Sequence, residues 1–344
     1  MERIGILTGG GDCPGLNAVI RGVVMSAIPH GITVIGIKNG WKGLVESSTV
    51  ELTRESVAEI LPRGGTILGT SRTNPYKKPD DVKKVASHFA NLKLDALVAV
   101  GGEDTLGVAN KLHGDKSVAN VVGVPKTIDN DLSGTDVTFG FDTAVNIATD
   151  AIDRLRTTAE SHHRVMVVEV MGRHAGWIAL HSGIASGADV ILIPELPIDM
   201  DEVIGILKKR HGRGMGYSIV VTAEGATFKS GTEVLQEEKL DAFGHVRLGG
   251  IGETLAKKVE EATGFETRSV VLGHVQRGGT PTAFDRVLAT RFGVKAFDLV
   301  MKKKFGFMAS LAGTQITEVP IAAAVGQLKT VDMKFYETAK IFFG

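Results

Sequence analysis

The sequence predicts an α/β protein with mostly parallel sheets, and three observations carry that expectation. Short apolar runs alternate with helical patterns of roughly ten to twenty residues nearly throughout the chain. Glycine, 43 of 344 residues, gathers where those runs end rather than in linkers or a collagen-like repeat. At ~150 residues per domain, the length allows about two domains with real cores. Buried strands separated by helices imply sheets covered on both faces.

Taken in order, residues 4–7 form a first strand, followed by Thr8-Gly9-Gly10-Gly11-Asp12 and an apolar helix over 16–28. Residues 32–37 make the second strand. The run 96–100 is a very apolar strand ending in Gly101-Gly102, and 121–124 is another, leading into Pro125 and a polar segment. Later strands are expected at 165–170, 190–193, 218–222 and 269–272, with helices such as 142–158 and 281–301 between them. A domain change is expected near 138–142, where a long helix follows a polar, glycine-containing stretch. No solenoid-period repeat, low-complexity tract or proline-rich linker interrupts the pattern.

Composition excludes several function classes. Lys and Arg number 39, as do Asp and Glu, so the formal net charge is zero. That removes the field which drives sequence-independent binding to nucleic acid or anionic membranes. No apolar run approaches the ~18 residues of a membrane span. The start, Met1-Glu2-Arg3 followed at once by a strand, does not read as a secretory signal. A single cysteine, Cys13, cannot form an internal disulfide, which favours a reducing compartment. The expectation is a soluble cytoplasmic protein.

In parallel sheets, ligands bind beyond the carboxyl ends of the strands, and the loops there are chemically loaded. Gly9-Gly10-Gly11-Asp12 lets phosphate oxygens approach backbone N–H groups, although a merely tight strand-to-helix connection uses the same residues. It is neither Gly-x-Gly-x-x-Gly nor a Walker A sequence. Cys13 within it reads as a packing residue. Gly101-Gly102-Glu103-Asp104-Thr105 suits a Mg²⁺–phosphate site, the competing role of its carboxylates being helix capping. In Pro125-Lys126-Thr127-Ile128-Asp129-Asn130-Asp131, the two aspartates, two apart in extended chain, share a side and suit a general base beside a metal-interacting carboxylate. A surface turn has a similar composition. Met171-Gly172-Arg173-His174-Ala175-Gly176, Glu224-Gly225 and Gly273-His274-Val275-Gln276-Arg277-Gly278-Gly279 place cations at further strand ends. Guanidinium groups there suit a phosphomonoester, though each alone equally fits a surface ion pair.

In this order, across about residues 3 to 310, these motifs resemble the phosphofructokinase A family of 6-phosphofructokinases. The resemblance implies two Rossmann-like αβα domains. Residues 1–138 plus 251–305 would bind the phosphoryl donor, and 139–250 plus 306–344 fructose 6-phosphate. It further implies Asp129 as the base for the sugar 1-hydroxyl, Thr127 as a contact to the transferred group and Asp131 as a substrate contact. Gly11, Arg72, Glu103, Asp104, Thr105 and Lys126 would meet the donor, with Glu103 on Mg²⁺. Met171, Gly172, Arg173, Glu224, His274 and Arg277 would hold the sugar phosphate. Arg164 and Arg268 match arginines lent by a neighbouring subunit, which implies a homodimer or homotetramer. Arg21, Arg54 and Arg156 resemble part of an effector-phosphate set, but Met25 stands where an arginine is usual, and surface or interface ion pairs account for them equally well.

Two positions speak to the donor. ATP-using members resemble Gly-Gly-Asp-Gly-Ser, with glycine where this chain has Asp104, and usually carry glycine at the position of Lys126. Asp104 would crowd and repel the α-phosphate of ATP, whereas Lys126 supplies a cation to compact pyrophosphate. The pair resembles the pyrophosphate-dependent branch, with an ATP-dependent 6-phosphofructokinase as the alternative. Since some ATP-using relatives also carry a lysine there, Asp104 is the discriminator. Glu103 replaces a usual aspartate. A silent sugar-phosphate-binding subunit would have lost the base, and a distant lipid or NAD kinase would lack the second half of the pattern.

Overall fold

Apolar runs become strands, and the periodic stretches between them become helices, in a computed structural model that describes residues 1–229, 235–240, 246–248 and 250–344. In chain order come β1 (Arg3–Thr8), α1 (Leu16–Ala27), β2 (Thr33–Ile37), α2 (Trp41–Glu46), β3 (Thr49–Leu52), α3 (Pro79–Asn91), β4 (Ala96–Gly101) and α4 (Glu103–Gly114). Next are β5 (Val121–Pro125), α5 (Phe141–His162), β6 (Val165–Val170), α6 (Trp177–Ala185), β7 (Val190–Leu192), α7 (Met200–Gly212) and β8 (Ser218–Ala223). The chain closes with β9 (Leu235–Leu240), β10 (Val246–Leu248), α8 (Ile251–Thr263), β11 (Thr267–Val271), α9 (Ala283–Met301), β12 (Phe307–Ala312), β13 (Gln315–Pro320) and α10 (Met333–Lys340).

The larger sheet runs β13-β12-β5-β4-β1-β2-β3 and is parallel except at its two outer strands. The smaller sheet, β11-β6-β8-β7, is parallel throughout, while β9 and β10 form an antiparallel ribbon. Alternation along β4 shows why both faces are apolar: Ala96, Val98 and Val100 face one core, Leu97 and Ala99 the other. The first core continues through Ile152 of α5 to Met166, Val168 and Val170 of β6. The far face of the smaller sheet is covered by α7 and α8, through Leu207, Leu255 and Val259. Helices α1 and α9 approach so closely that a β-carbon on Gly293 would lie 2.5 Å from the Val19 carbonyl oxygen.

Sheet membership corrects the expected division of the chain. The segment 251–271 was assigned to the donor side, but β11 pairs with β6 and α8 packs on the smaller sheet. Residues 307–320 were assigned to the sugar side, but β12 pairs with β5 and carries β13 with it. The physical reason is a hairpin turning at Gly313, φ +58°, which adds a parallel and then an antiparallel strand to the exposed edge of β5. Helix α5 begins at Phe141. Among the described residues, no helix is long and apolar enough to cross a membrane.

Candidate active site

Strands β1, β4 and β5 are neighbours and parallel, so their carboxyl ends share one edge. The Gly9 N–H donates to the Val100 carbonyl (2.9 Å) and the Gly10 N–H to that of Ser71 (3.2 Å), next to Arg72. Gly10 has φ +79°, which favours glycine. Thr105, an expected donor contact, is only 2% exposed and wedges between two turns. A β-carbon on Gly9 would lie 2.6 Å from its Oγ1, and one on Gly101 2.3 Å from its Cβ. Its place is that of a spacer between the turns after β1 and β4.

Lys126 enters from the end of β5. Its N–H donates to the Gly101 carbonyl (3.0 Å), and its buried ammonium donates to the Gly11 carbonyl. Burial pulls its pKa below the usual lysine value, and the charge of Arg277 acts the same way. A bound anion would relieve that penalty. Arg277 Nη1 donates to the Asp12 carbonyl (3.4 Å) and would be 2.7 Å from a β-carbon at position 11, so a larger residue there would displace the guanidinium. Cys13 is fully buried, with its Sγ donating to the Phe139 carbonyl (3.8 Å). Burial pushes its thiol up to about 12, which leaves it a packing residue.

The turn after β5 differs from the extended chain expected. Asn130 sits at φ +53°, so Asp129 and Asp131 are not placed side by side by strand alternation. Asn130 Oδ1 accepts from the Thr138 N–H (3.1 Å), and Thr127 Oγ1 accepts from the Asp129 N–H (3.0 Å). The two carboxylates are nonetheless close in charge: burial first, then Asp129, then Glu103 raise the Asp131 pKa well above the carboxylate range. Asp129 Oδ1 is buried with no hydrogen-bond partner among the described residues.

The ends of β6 and β8 supply the other wall. Gly172, φ +137°, accepts from the Gly225 N–H through its carbonyl (3.1 Å). A β-carbon on Gly225 would lie 1.9 Å from the Arg173 carbonyl oxygen, so only glycine lets these loops meet. Burial, followed by the charge of Asp129, pushes Glu224 up to about 7, against the pull of Arg173 and Arg277. Arg277 thus acts electrostatically on both Lys126 and Glu224 and lies between the two walls. Buried Gln276 accepts from the Met171 N–H (3.3 Å) and donates to the Gly273 carbonyl (3.2 Å), tying the His274 segment to Met171. His274 itself is exposed.

Two expected residues lie elsewhere. Arg164 precedes β6 and Arg268 stands near the start of β11, whereas Met171 and Arg173 follow β6. A six-residue strand separates the two ends, about 20 Å at ~3.3 Å per residue. Both guanidinium groups meet Glu266 Oε1 instead, at 2.7 and 2.6 Å. Arg156, of the effector-like set, donates to the Ser186 and Gly187 carbonyls. Glu103 is exposed at the start of α4, and its Oε1 accepts from the Gly326 N–H (3.1 Å). No motif marks Gly326 or Lys329, whose ammonium reaches the Asn130 turn.

No group of three or more His, Cys, Asp or Glu among the described residues could hold a metal ion by itself. Mg²⁺ fits such a site, because one or two carboxylates and the substrate's phosphates commonly complete its shell. The mutual repulsion of Asp129, Asp131 and Glu103 is the kind of charge a divalent cation offsets.

Residues 3–300 match the family model described as Phosphofructokinase. A pyrophosphate–fructose 6-phosphate 1-phosphotransferase of Amycolatopsis methanolica is 59% identical over 343 residues, covering 99% of this chain and 100% of the relative. An ATP-dependent 6-phosphofructokinase 3 of Streptomyces coelicolor is 55% identical over 339 residues, covering 98% and 99%. The crystal structure of Pichia pastoris phosphofructokinase in the T-state matches with a TM-score of 0.83 at 32% identity. That match covers 99% of this chain, which spans 36% of the longer one.

Proposed function

Because the chain belongs to the phosphofructokinase family, we propose that it transfers a phosphoryl group from pyrophosphate to the 1-hydroxyl of fructose 6-phosphate, reversibly, giving fructose 1,6-bisphosphate and phosphate. The observation that carries this reading is Asp104 in the first turn of α4, where its carboxylate would crowd and repel the α-phosphate of ATP; in support, the Lys126 ammonium is buried between the β1 and β5 turns, three residues before Asp129. It places a compact cation where a short donor's leaving phosphate would sit.

Asp129, whose Oδ1 has no hydrogen-bond partner among the described residues, takes the proton from the 1-hydroxyl as that oxygen bonds to the donor's phosphorus and the bond to the leaving phosphate breaks. Lys126 and the N–H groups of the Gly9–Gly11 turn hold the leaving phosphate. Thr127 meets the group in flight, and Arg173, Glu224, His274 and Arg277, with Met171 and Gly172, hold the sugar phosphate. Asp131 orients substrate beside the base. Positioning and charge supply most of the catalysis in such transfers. Glu103 would hold Mg²⁺ together with donor oxygens, neutralising charge on the phosphates when bound. Arg72 and Asp104 flank the donor.

A coupled assay with fructose 6-phosphate, Mg²⁺ and either pyrophosphate or ATP tests the reading. Pyrophosphate should support turnover, ATP should support it poorly, and inorganic phosphate should drive the reverse reaction. Preference for ATP by a wide margin would leave the family and remove the donor assignment.

The working form is an oligomer, at least a dimer, since Arg164 and Arg268 stand on the edge remote from their own chain's sugar loops. Sedimentation at assay concentration checks this, and a fully active monomer contradicts it.

A further inference from the structure

We infer that Lys329 is a positioning residue for the turn carrying Asp129, at the centre of a strap formed by residues 326–331. The inference rests on the reading of Asp129 as the base.

The donors of the Lys329 ammonium are fully committed to that turn. It donates to Asn130 Oδ1 (3.2 Å), to the Thr135 carbonyl (3.2 Å) and to the Asp136 carbonyl. An ammonium has three N–H donors, and here each finds an acceptor within one loop. The Lys329 backbone N–H donates to the Asp131 carbonyl (2.9 Å), so the same residue holds the loop through main chain and side chain. Leu328 bridges to Leu132. Besides these, the ammonium stands 5.3 Å from the Trp177 ring centre, and the Lys329 carbonyl accepts from Trp177 Nε1 (2.9 Å).

Neighbouring residues of the strap reach the rest of the site. Gly326 donates to Glu103, the residue proposed for Mg²⁺. Val331 donates to Glu195 Oε1 (2.8 Å), which also accepts from Gly176 (3.1 Å) just beyond Arg173. Six residues thus touch the donor wall, the base turn and the sugar wall.

The turn needs such support. Asn130, next to the base, holds a left-handed conformation that is uncommon for residues other than glycine. Its Oδ1 is shared between Thr138 and Lys329. Removing the ammonium leaves the Thr135 and Asp136 carbonyls without this donor, and Asp129 is then held by a looser loop. Misplacing a reacting group by ~1 Å costs on the order of 10²-fold in rate.

Lys329→Met, Lys329→Arg and wild type are to be compared for kcat, KM for fructose 6-phosphate and thermal melting, with rates taken below the onset of melting. In Lys329→Met, kcat should fall on the order of 10–100-fold, KM should stay within about threefold, and Lys329→Arg should recover most of the loss. Exchange of backbone amides in 127–138 should speed up in Lys329→Met. A folded Lys329→Met with wild-type kcat, or one whose KM rises while kcat holds, would overturn the inference. If Lys329→Met does not fold, Lys329→Gln is measured against the same criterion. An inactive wild type with both donors would instead remove the base reading on which the strap depends, so the two failures are told apart.

Discussion

Replacing Asp129 with serine is expected to lower kcat by about 10²–10⁴-fold, the usual worth of a positioned proton acceptor, while fructose 6-phosphate binding stays largely intact. The expectation follows from where the carboxylate stands. Its Oδ1 is buried without a partner among the described residues, which leaves that oxygen able to accept from a substrate hydroxyl. Its charge is felt by Lys126 and Asp131 on its own segment after β5 and by Glu224 after β8. Serine keeps a small polar side chain on the turn but accepts no proton at neutral pH, so the loss should fall on kcat rather than on KM. Near-normal kcat in a folded Asp129→Ser protein would take Asp129 out of the chemistry.

The second large effect concerns donor choice. Asp104→Gly should raise kcat/KM for ATP, and Lys126→Gly added to it should weaken use of pyrophosphate further. In the proposed donor site, the α-phosphate of ATP would pass beside position 104, where a carboxylate would add bulk and like charge. A penalty of ~3–4 kcal/mol corresponds to two to three powers of ten in discrimination. In the proposed donor site Lys126 would act on the same phosphate position, since its ammonium lies against the Gly10–Gly11 turn. The two changes should therefore not be additive. Steady-state kinetics of both single variants and the double variant, each with both donors, supply the test; strict additivity would mean that the two side chains address different parts of the donor.

Much of this site was legible before any coordinates, because its residues come in short contiguous motifs directly after buried strands. An apolar run such as 96–100 followed by glycine and carboxylate announces both an element and its ligand-facing end. What stayed hidden depends on distance or on backbone detail. Lys329 lies some 200 residues along the chain from Asn130, and nothing in its own neighbourhood marks it. The left-handed Asn130 could not be told from extended chain by spacing, since asparagine tolerates both. The assignment of β11 and β12 to opposite sheets follows from pairing across the molecule: each is a short strand whose own residues fit either sheet edge. Thr105 shows a subtler limit. A threonine beside glycines and carboxylates reads as a phosphate ligand, whereas here the glycines exist in part to make room for it.

The interleaving of the two sheets bears on how the chain can assemble. Strand β12, which begins at residue 307, pairs with β5, which ends at residue 125, and β11 reaches back to β6 across a similar kind of gap. The smaller sheet is completed only by β11, which ends at residue 271, and the larger by β13, which ends at residue 320. Such high contact order slows folding and prolongs the time during which the apolar edges of β5 and β6 stand open. On the ribosome, β1–β5 must wait for β12 to emerge, and β6–β8 for β11, before either sheet is complete.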